Sequence, residues 1–197
     1  PLRVAEGTWT TGAGKWEHLK KLRISKILGN EFDRLDGLLN RADVYVINRE
    51  NVEWLVKLYG RKWPFDMVVI DELSSFKNNQ SKRFKALKKI LSRVERIVGL
   101  TGTPAPNGLM DLWPQVYLLD RGERLGWTIG EFRNRYFYPG AKNGHIVYDW
   151  LLRDGAEQSI HETLSDLCVS MKAEDWLELP ERIDNIVKVK LDDRDFK

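Results

Sequence analysis

Met67-Val68-Val69-Ile70-Asp71-Glu72-Leu73-Ser74-Ser75-Phe76-Lys77-Asn78 sets a short apolar run directly against two carboxylates. The run is too short for a helix and rich in β-branched side chains, so it reads as a buried strand. Two more runs of this kind flank it, Val44-Tyr45-Val46-Ile47 and Arg96-Ile97-Val98-Gly99-Leu100. Between them the apolar period is helical. Val52, Leu55, Val56 and Tyr59 share one face within 51–59; Phe84, Leu87, Leu91 and Val94 share another within 81–94, with Lys and Arg opposite. Strand, helix, strand, helix, strand predicts an α/β fold with a parallel sheet, flanking helices and right-handed crossovers.

The residues just past each strand point to a site. Ile47 leads into Asn48-Arg49-Glu50, Ile70 into Asp71-Glu72, and Leu100 into Thr101-Gly102-Thr103-Pro104. Parallel α/β sheets bind ligands beyond the carboxyl ends of their strands, so three polar or Gly-rich clusters there predict one shared active edge. An Asp-Glu pair leaving a hydrophobic strand suits nucleoside triphosphate hydrolysis. One carboxylate holds Mg²⁺, usually through water, and its neighbour orients and deprotonates the attacking water. Read without its surroundings, the same pair could simply cap the helix after it.

The rest of the chain bounds the answer. Its 197 residues, 42% hydrophobic and 31% charged, suit one soluble domain with a sizeable core. No apolar run approaches the roughly 18 residues of a membrane helix, and residues 1–14 lack the apolar centre of a signal peptide. A single Cys168 excludes an internal disulfide framework and fits a reducing cytoplasm. With His18, His145 and His161 scattered, no metal-ligand cluster forms. Net charge is only +3 but unevenly spread: eight Lys or Arg against Glu95 in 77–96, ten Asp or Glu against three Lys or Arg in 149–184. That asymmetry suits a polyanion-facing surface, and equally a solvated helix face.

Outside the three strands, the basic stretch 16–28 is expected to start as a helix, with Leu2 and Val4 ending an earlier strand. An apolar helix is expected over 109–119, with Trp113, Val116 and Tyr117 in the core and Asp120-Arg121-Gly122 ending it. Residues 126–149 carry Phe132, Tyr136, Phe137, Tyr138 and Tyr148 without a clean period. They read as an insertion packed on the domain in preference to a base-stacking platform. Ile160, Leu164, Leu167 and Cys168 suggest a further helix, and Val187, Val189 and Leu191 a half-buried strand.

Asp71 to Asn78 resembles the Asp-Glu box of superfamily-two helicases, and the trailing Lys77-Asn78 before a basic helix is typical of the Swi/Snf-like branch. Leu100-Thr101-Gly102-Thr103-Pro104-Ala105-Pro106-Asn107 looks like that branch's motif III, and the stretch from Leu109 through Asp120, Leu125-Gly126, Phe132 and Tyr136 is similar to its continuation. Val46-Ile47-Asn48 resembles motif Ib, and Pro1-Leu2-Arg3 motif Ia. Met171 to Pro180 resembles the bridge leaving the first motor lobe, and 187–191 the first strand into the second. The resemblance covers nearly the whole chain and is nearest to phage and prophage members.

It implies a RecA-like first lobe over 1–126, an extension and bridge over 127–182, and the start of the linker into lobe two over 183–197. It also implies an ATP-dependent translocase moving on duplex DNA in the cytoplasm of a bacterial or phage-infected cell. Asp71 would hold Mg²⁺ and Glu72 would be the base. Ser74, Thr101, Gly102 and Thr103 would couple nucleotide state to lobe closure, and Arg3, Asn48, Arg49, Lys77 and Asn107 would grip DNA phosphates.

There are two departures. The usual Ala-His after Asp-Glu is Leu73-Ser74, which leaves a relay there to the Ser74 hydroxyl. The other is the phosphate loop, which needs Gly, four residues, then Gly-Lys-Ser/Thr. The only Gly-Lys is Gly14-Lys15, with Trp16 after it and Trp9 where the first Gly should stand. Thr11 to Lys15 therefore reads as a turn. The expectation is a truncated lobe whose phosphate loop and second lobe, with its arginine fingers, belong to the rest of the parent, so that the fragment itself binds no ATP or Mg²⁺ and is inactive. One rival is a non-catalytic nucleic-acid-binding or regulatory module, which would need neither Asp71-Glu72 nor Thr101-Gly102-Thr103. A metal-dependent nuclease using Asp66 or Asp71 is a weaker one, since the chain contains no Glu-x-Lys.

Overall fold

The structure, a computed structural model, describes Ala5, Gly7, and residues 9–144 and 146–171. The chain divides into two compact units, Pro1–Thr163 and Leu164–Lys197. In the first, two parallel strand pairs form the framework. β1 (Ile24–Ile27) pairs with β2 (Val44–Ile47), and β3 (Met67–Asp71) with β4 (Arg96–Leu100). Helices α1 (Trp9–Gly14), α2 (Glu31–Leu39), α3 (Val52–Tyr59), α4 (Lys82–Ile90) and α5 (Leu112–Asp120) precede, connect and follow them.

β3 and β4 lie side by side, as the apolar runs predict. The partner of β2 is β1, inside the stretch expected to begin as a helix. Only a short 3-10 turn, Glu17–Leu19, forms there before the strand. In β1 Ser25 and Ile27 are buried and Lys26 is exposed, an alternation that suits a strand. The neighbouring Lys20, Lys21 and Arg23 hide it in the sequence. Ser25 donates its hydroxyl to the Gly37 carbonyl at 2.6 Å, and Gly37 lets α2 approach so closely that a Cβ would collide with the Lys26 carbonyl. Arg23 grips Asp43 through Nε and a terminal nitrogen at 3.0 and 2.6 Å, fixing the strands' entry points. Those hydrogen bonds hold the Asp43 carboxyl well below the usual carboxylate range.

α4 begins at Ser81, whose hydroxyl accepts the Phe84 N–H at 3.3 Å. It buries Phe84, Leu87 and Ile90, followed by buried Leu91 and Val94, and leaves Lys82, Lys85, Lys88 and Lys89 exposed. Each fully buried apolar side chain of this kind is worth about 1.5–3 kcal/mol. α5 follows the expected range closely, with Trp113, Val116 and Tyr117 in the core. Phe84, Trp113 and Tyr117 form one aromatic cluster with centroids 5.0–6.3 Å apart. The helix ends at Arg121 in a left-handed conformation (φ 62°), from which its guanidinium donates to the carbonyls of Leu91 and Val94 at 2.6 and 3.1 Å.

The aromatic stretch is α6 (Ile129–Tyr136) followed by two nested antiparallel pairs. β5 (Phe137–Pro139) pairs with β8 (Trp150–Leu152), and β6 (Lys142–Asn143) with β7 (Ile146–Val147). Phe132, Tyr136 and Phe137 are buried together, so much of the segment packs as an insertion does; Tyr138 and Tyr148 stay exposed. α7 (Ala156–Leu164) comes next. In the second unit the described residues, 164–171, form a turn in which the Leu167 and Cys168 amides donate to the Leu164 carbonyl. The expected helix therefore stops before Leu167 and Cys168. Arg3 with its Pro1-Leu2-Arg3 segment, Leu2 and Val4, the bridge over 172–180 and the strand over 187–191 lie outside the described residues. Among the described residues no helix is long and apolar enough to cross a membrane.

Candidate active site

The register of β3 on β4 places Asp71 opposite Leu100. Glu72 and Thr101, the next residues of each strand, therefore leave the sheet at one edge. Glu72 sits in the left-handed region (φ 57°, ψ 60°), one of two described non-glycine residues with positive φ. Such a conformation costs about 1–3 kcal/mol and persists where surrounding structure imposes it. Here the imposing element is the sharp exit into a 3-10 turn, Leu73–Phe76, whose Leu73 and Phe76 are buried while Asp71 and Glu72 stay exposed. Gly99 packs against it, and a Cβ there would lie within 2.4 Å of Leu73 Cδ2, so Leu73 would have to shift for any other residue. The turn thus anchors itself by its apolar residues and turns its carboxylates outward.

Ser74 donates its hydroxyl toward Glu72 Oε2 at 3.4 Å, a long bond that helps orient the carboxylate. Across the edge, Thr101 Oγ1 is buried without a hydrogen-bond partner among the described residues. It is one of eight such atoms among the described residues, and at this edge a ligand or water could complete its bonding. Gly102 and Thr103 are exposed beside it, with open space around the Gly102 Cα.

Beyond them the loop is tied down by α5 and the short turn before it. Gln115, almost fully buried, donates its amide to the Pro104 carbonyl (2.5 Å) and the Asp111 carbonyl (2.8 Å). Asp111 Oδ2 accepts the Asn107 N–H at 3.0 Å and lies 3.7 Å from Lys77 Nζ. Lys77 and Asn107, which leave different strands, are therefore brought together by one carboxylate. Neither Asp111 nor Gln115 stands out in the sequence. The only signal is their spacing of four, which puts a carboxylate and an amide on one face of an otherwise apolar segment.

Asn48 and Arg49 follow β2, in the other strand pair. Asn48 Oδ1 accepts from the Asn51 amide at 2.5 Å, and Arg49 Nε donates to Glu50 at 3.3 Å. Among the described residues no hydrogen bond or ion pair joins them to the Asp71-Glu72 segment or to the 101–107 loop.

Among the described residues no group of three or more His, Cys, Asp or Glu side chains could enclose a metal ion. Two adjacent exposed carboxylates beside a buried, unsatisfied hydroxyl do fit a cation that takes its remaining ligands from water and phosphate oxygens, which is how Mg²⁺ usually binds. Thr11 to Lys15, the one Gly-Lys stretch, forms the end of α1 and the turn after it, where the Lys15 amide donates to the Gly12 carbonyl.

Several known proteins are similar to the chain. A putative phage protein, p41 of Acyrthosiphon pisum secondary endosymbiont phage 1, is 41% identical over 97% of the chain and 43% of its own length. The DNA annealing helicase and endonuclease ZRANB3 of Bos taurus is 29% identical over 89% of the chain and 16% of its own length. Among solved structures, the Sulfolobus solfataricus SWI2/SNF2 ATPase core in complex with dsDNA matches with a TM-score of 0.56 and 30% identity, over 69% of this chain and 26% of that one. The chain thus spans less than half the length of these relatives, and its α/β fold is RecA-like. The SNF2-related domain matches residues 1–197, and the chain belongs to that family.

Proposed function

We propose that these residues form much of the first motor lobe of an ATP-dependent translocase on duplex DNA. The observation that carries the reading is the shared edge: Asp71 and Glu72 leave one strand, Thr101 its parallel neighbour, with Glu72 held in a left-handed turn. A module that only bound nucleic acid would have no use for that backbone. In this reading 1–126 carries the nucleotide edge, 127–182 an extension and bridge, and 183–197 the way into a second lobe. The protein works in the cytoplasm.

A bound Mg²⁺–ATP supplies the phosphoryl group and the charge that makes it reactive. Asp71 would hold the cation, usually through water. Glu72 would orient the attacking water and take its proton, and the Ser74 hydroxyl would keep that carboxylate aimed. Thr101, with Gly102 and Thr103, would sense the nucleotide through its free hydroxyl and pass the change to the loop that ends at Asn107. The phosphate loop and the arginine fingers of lobe two come, in this proposal, from the rest of the whole protein. Met67, Val69 and Leu100 support this, being close to half exposed although parallel strands are ordinarily covered on both faces. By themselves residues 1–197 would bind duplex DNA weakly and turn over no ATP.

Arg3, Asn48, Arg49, Lys77 and Asn107 are proposed to grip the phosphate backbone, which carries no base sequence. Reversing the charge of Lys77 together with Arg49 in the whole protein is expected to weaken binding equally for unrelated duplexes. The slope of log K against log salt should fall by about 2, close to 0.9 per lost phosphate contact. Binding that is selective for base sequence, or indifferent to salt, contradicts the proposal.

A further inference from the structure

Asp111 Oδ2 is shared between two groups of different kinds. The Asn107 N–H donates to it at 3.0 Å, a normal hydrogen bond, whereas Lys77 Nζ stands at 3.7 Å, beyond hydrogen-bond range. Asp111 is mostly buried, with its side chain 16% exposed, while the Lys77 side chain is 34% exposed and open to solvent on one side. A loose, partly exposed ion pair contributes little and exchanges cheaply for another anion. A phosphodiester arriving from solvent can therefore take Lys77 while the Asn107 backbone N–H stays on Asp111. Once the ammonium leaves, Oδ2 serves Asn107 alone, and the 101–107 loop loses its tether to the segment that carries Asp71 and Glu72. Gln115 keeps the middle of the loop on α5 through the Pro104 carbonyl.

We infer that Asp111 is a positioning residue that makes the Thr101–Asn107 loop sensitive to duplex capture: the Lys77–Asp111 pair holds the loop idle, and a backbone phosphate at Lys77 releases it. This rests on the proposed DNA contact at Lys77 and deepens the translocase reading by naming what links the two surfaces.

The experiment uses the whole protein and two readouts, duplex affinity without nucleotide and ATP turnover without DNA. Asp111→Asn keeps an acceptor for the Asn107 N–H and removes the charge that competes for Lys77. It should tighten duplex binding about two- to fivefold, the fold-change a partly exposed pair is worth. It should raise DNA-free turnover by a similar factor, lowering the stimulation ratio. Lys77→Met breaks the same pair from the other side; it should raise DNA-free turnover equally while weakening duplex binding. The double variant should raise turnover no further, because both substitutions remove one interaction. A residue that merely braced the fold would lower turnover in every state and give no such match. Unchanged or weaker duplex affinity in Asp111→Asn, beside normal DNA-stimulated turnover in the unaltered protein, overturns the inference alone. A whole protein that hydrolyses no ATP removes the motor reading, and the affinity shift then decides by itself whether Asp111 competes for Lys77.

Discussion

Glu72→Gln in the whole protein is expected to lower ATP turnover by about a hundred- to ten-thousandfold, the range a positioned general base supplies. ATP binding should be largely spared. Gln matches Glu in size and keeps an oxygen that can accept a bond from Ser74, but it cannot take the proton of the attacking water. The substitution also leaves the fold alone. Glu72 is exposed, and the left-handed turn it occupies is imposed by buried Leu73 and Phe76 and not by its own side chain. Nucleotide binding and single-turnover hydrolysis, measured side by side, separate the two effects. A variant with normal turnover removes Glu72 as the base.

Residues 1–197 produced by themselves are expected to show no DNA-stimulated ATP hydrolysis above background. An arginine finger alone is worth roughly 10³–10⁵ in rate, and these residues contain no Gly-x4-Gly-Lys-Ser/Thr stretch to hold the β- and γ-phosphates. Asp71 could then bind a cation only without the phosphate oxygens that normally complete its shell. Circular dichroism establishes that the preparation is folded before phosphate release is measured. Hydrolysis by these residues alone means that the nucleotide site has been misplaced.

The parts of this fold that were readable are those written as an unbroken apolar run. Met67 to Ile70 and Ile97 to Leu100 carry no charged residue and are flanked by polar loops, so their limits, their parallel pairing and their common edge follow from the residues, although Ile70 alone is buried in these two strands. β1 was hidden because one of its two buried positions is the polar Ser25 and Lys26 breaks the run between them, with Lys20, Lys21 and Arg23 just before it. The hairpin arms over 137–152 are only two or three residues long, too short for any period to register. The left-handed turn at Glu72 was not legible either, since a Glu at positive φ is set by what packs below it, here Leu73 against Gly99. Among the site residues, the carboxylates and the Thr-Gly-Thr loop were visible as strand-end chemistry. Asp111 and Gln115 were not, because on an apolar helical segment a single acid and a single amide look like ordinary surface positions until the loop they hold is seen. Lys77 was visible as a cation, and its pairing with Asp111 was not.

Steady-state phosphate release from the whole protein, with and without duplex DNA, bears on the motor reading without any substitution. Duplexes of unrelated sequence should all raise turnover, with a stimulation that fades as salt rises, because the proposed contacts are to phosphates. Absence of hydrolysis, or hydrolysis at the same rate with and without duplex, would contradict the motor reading.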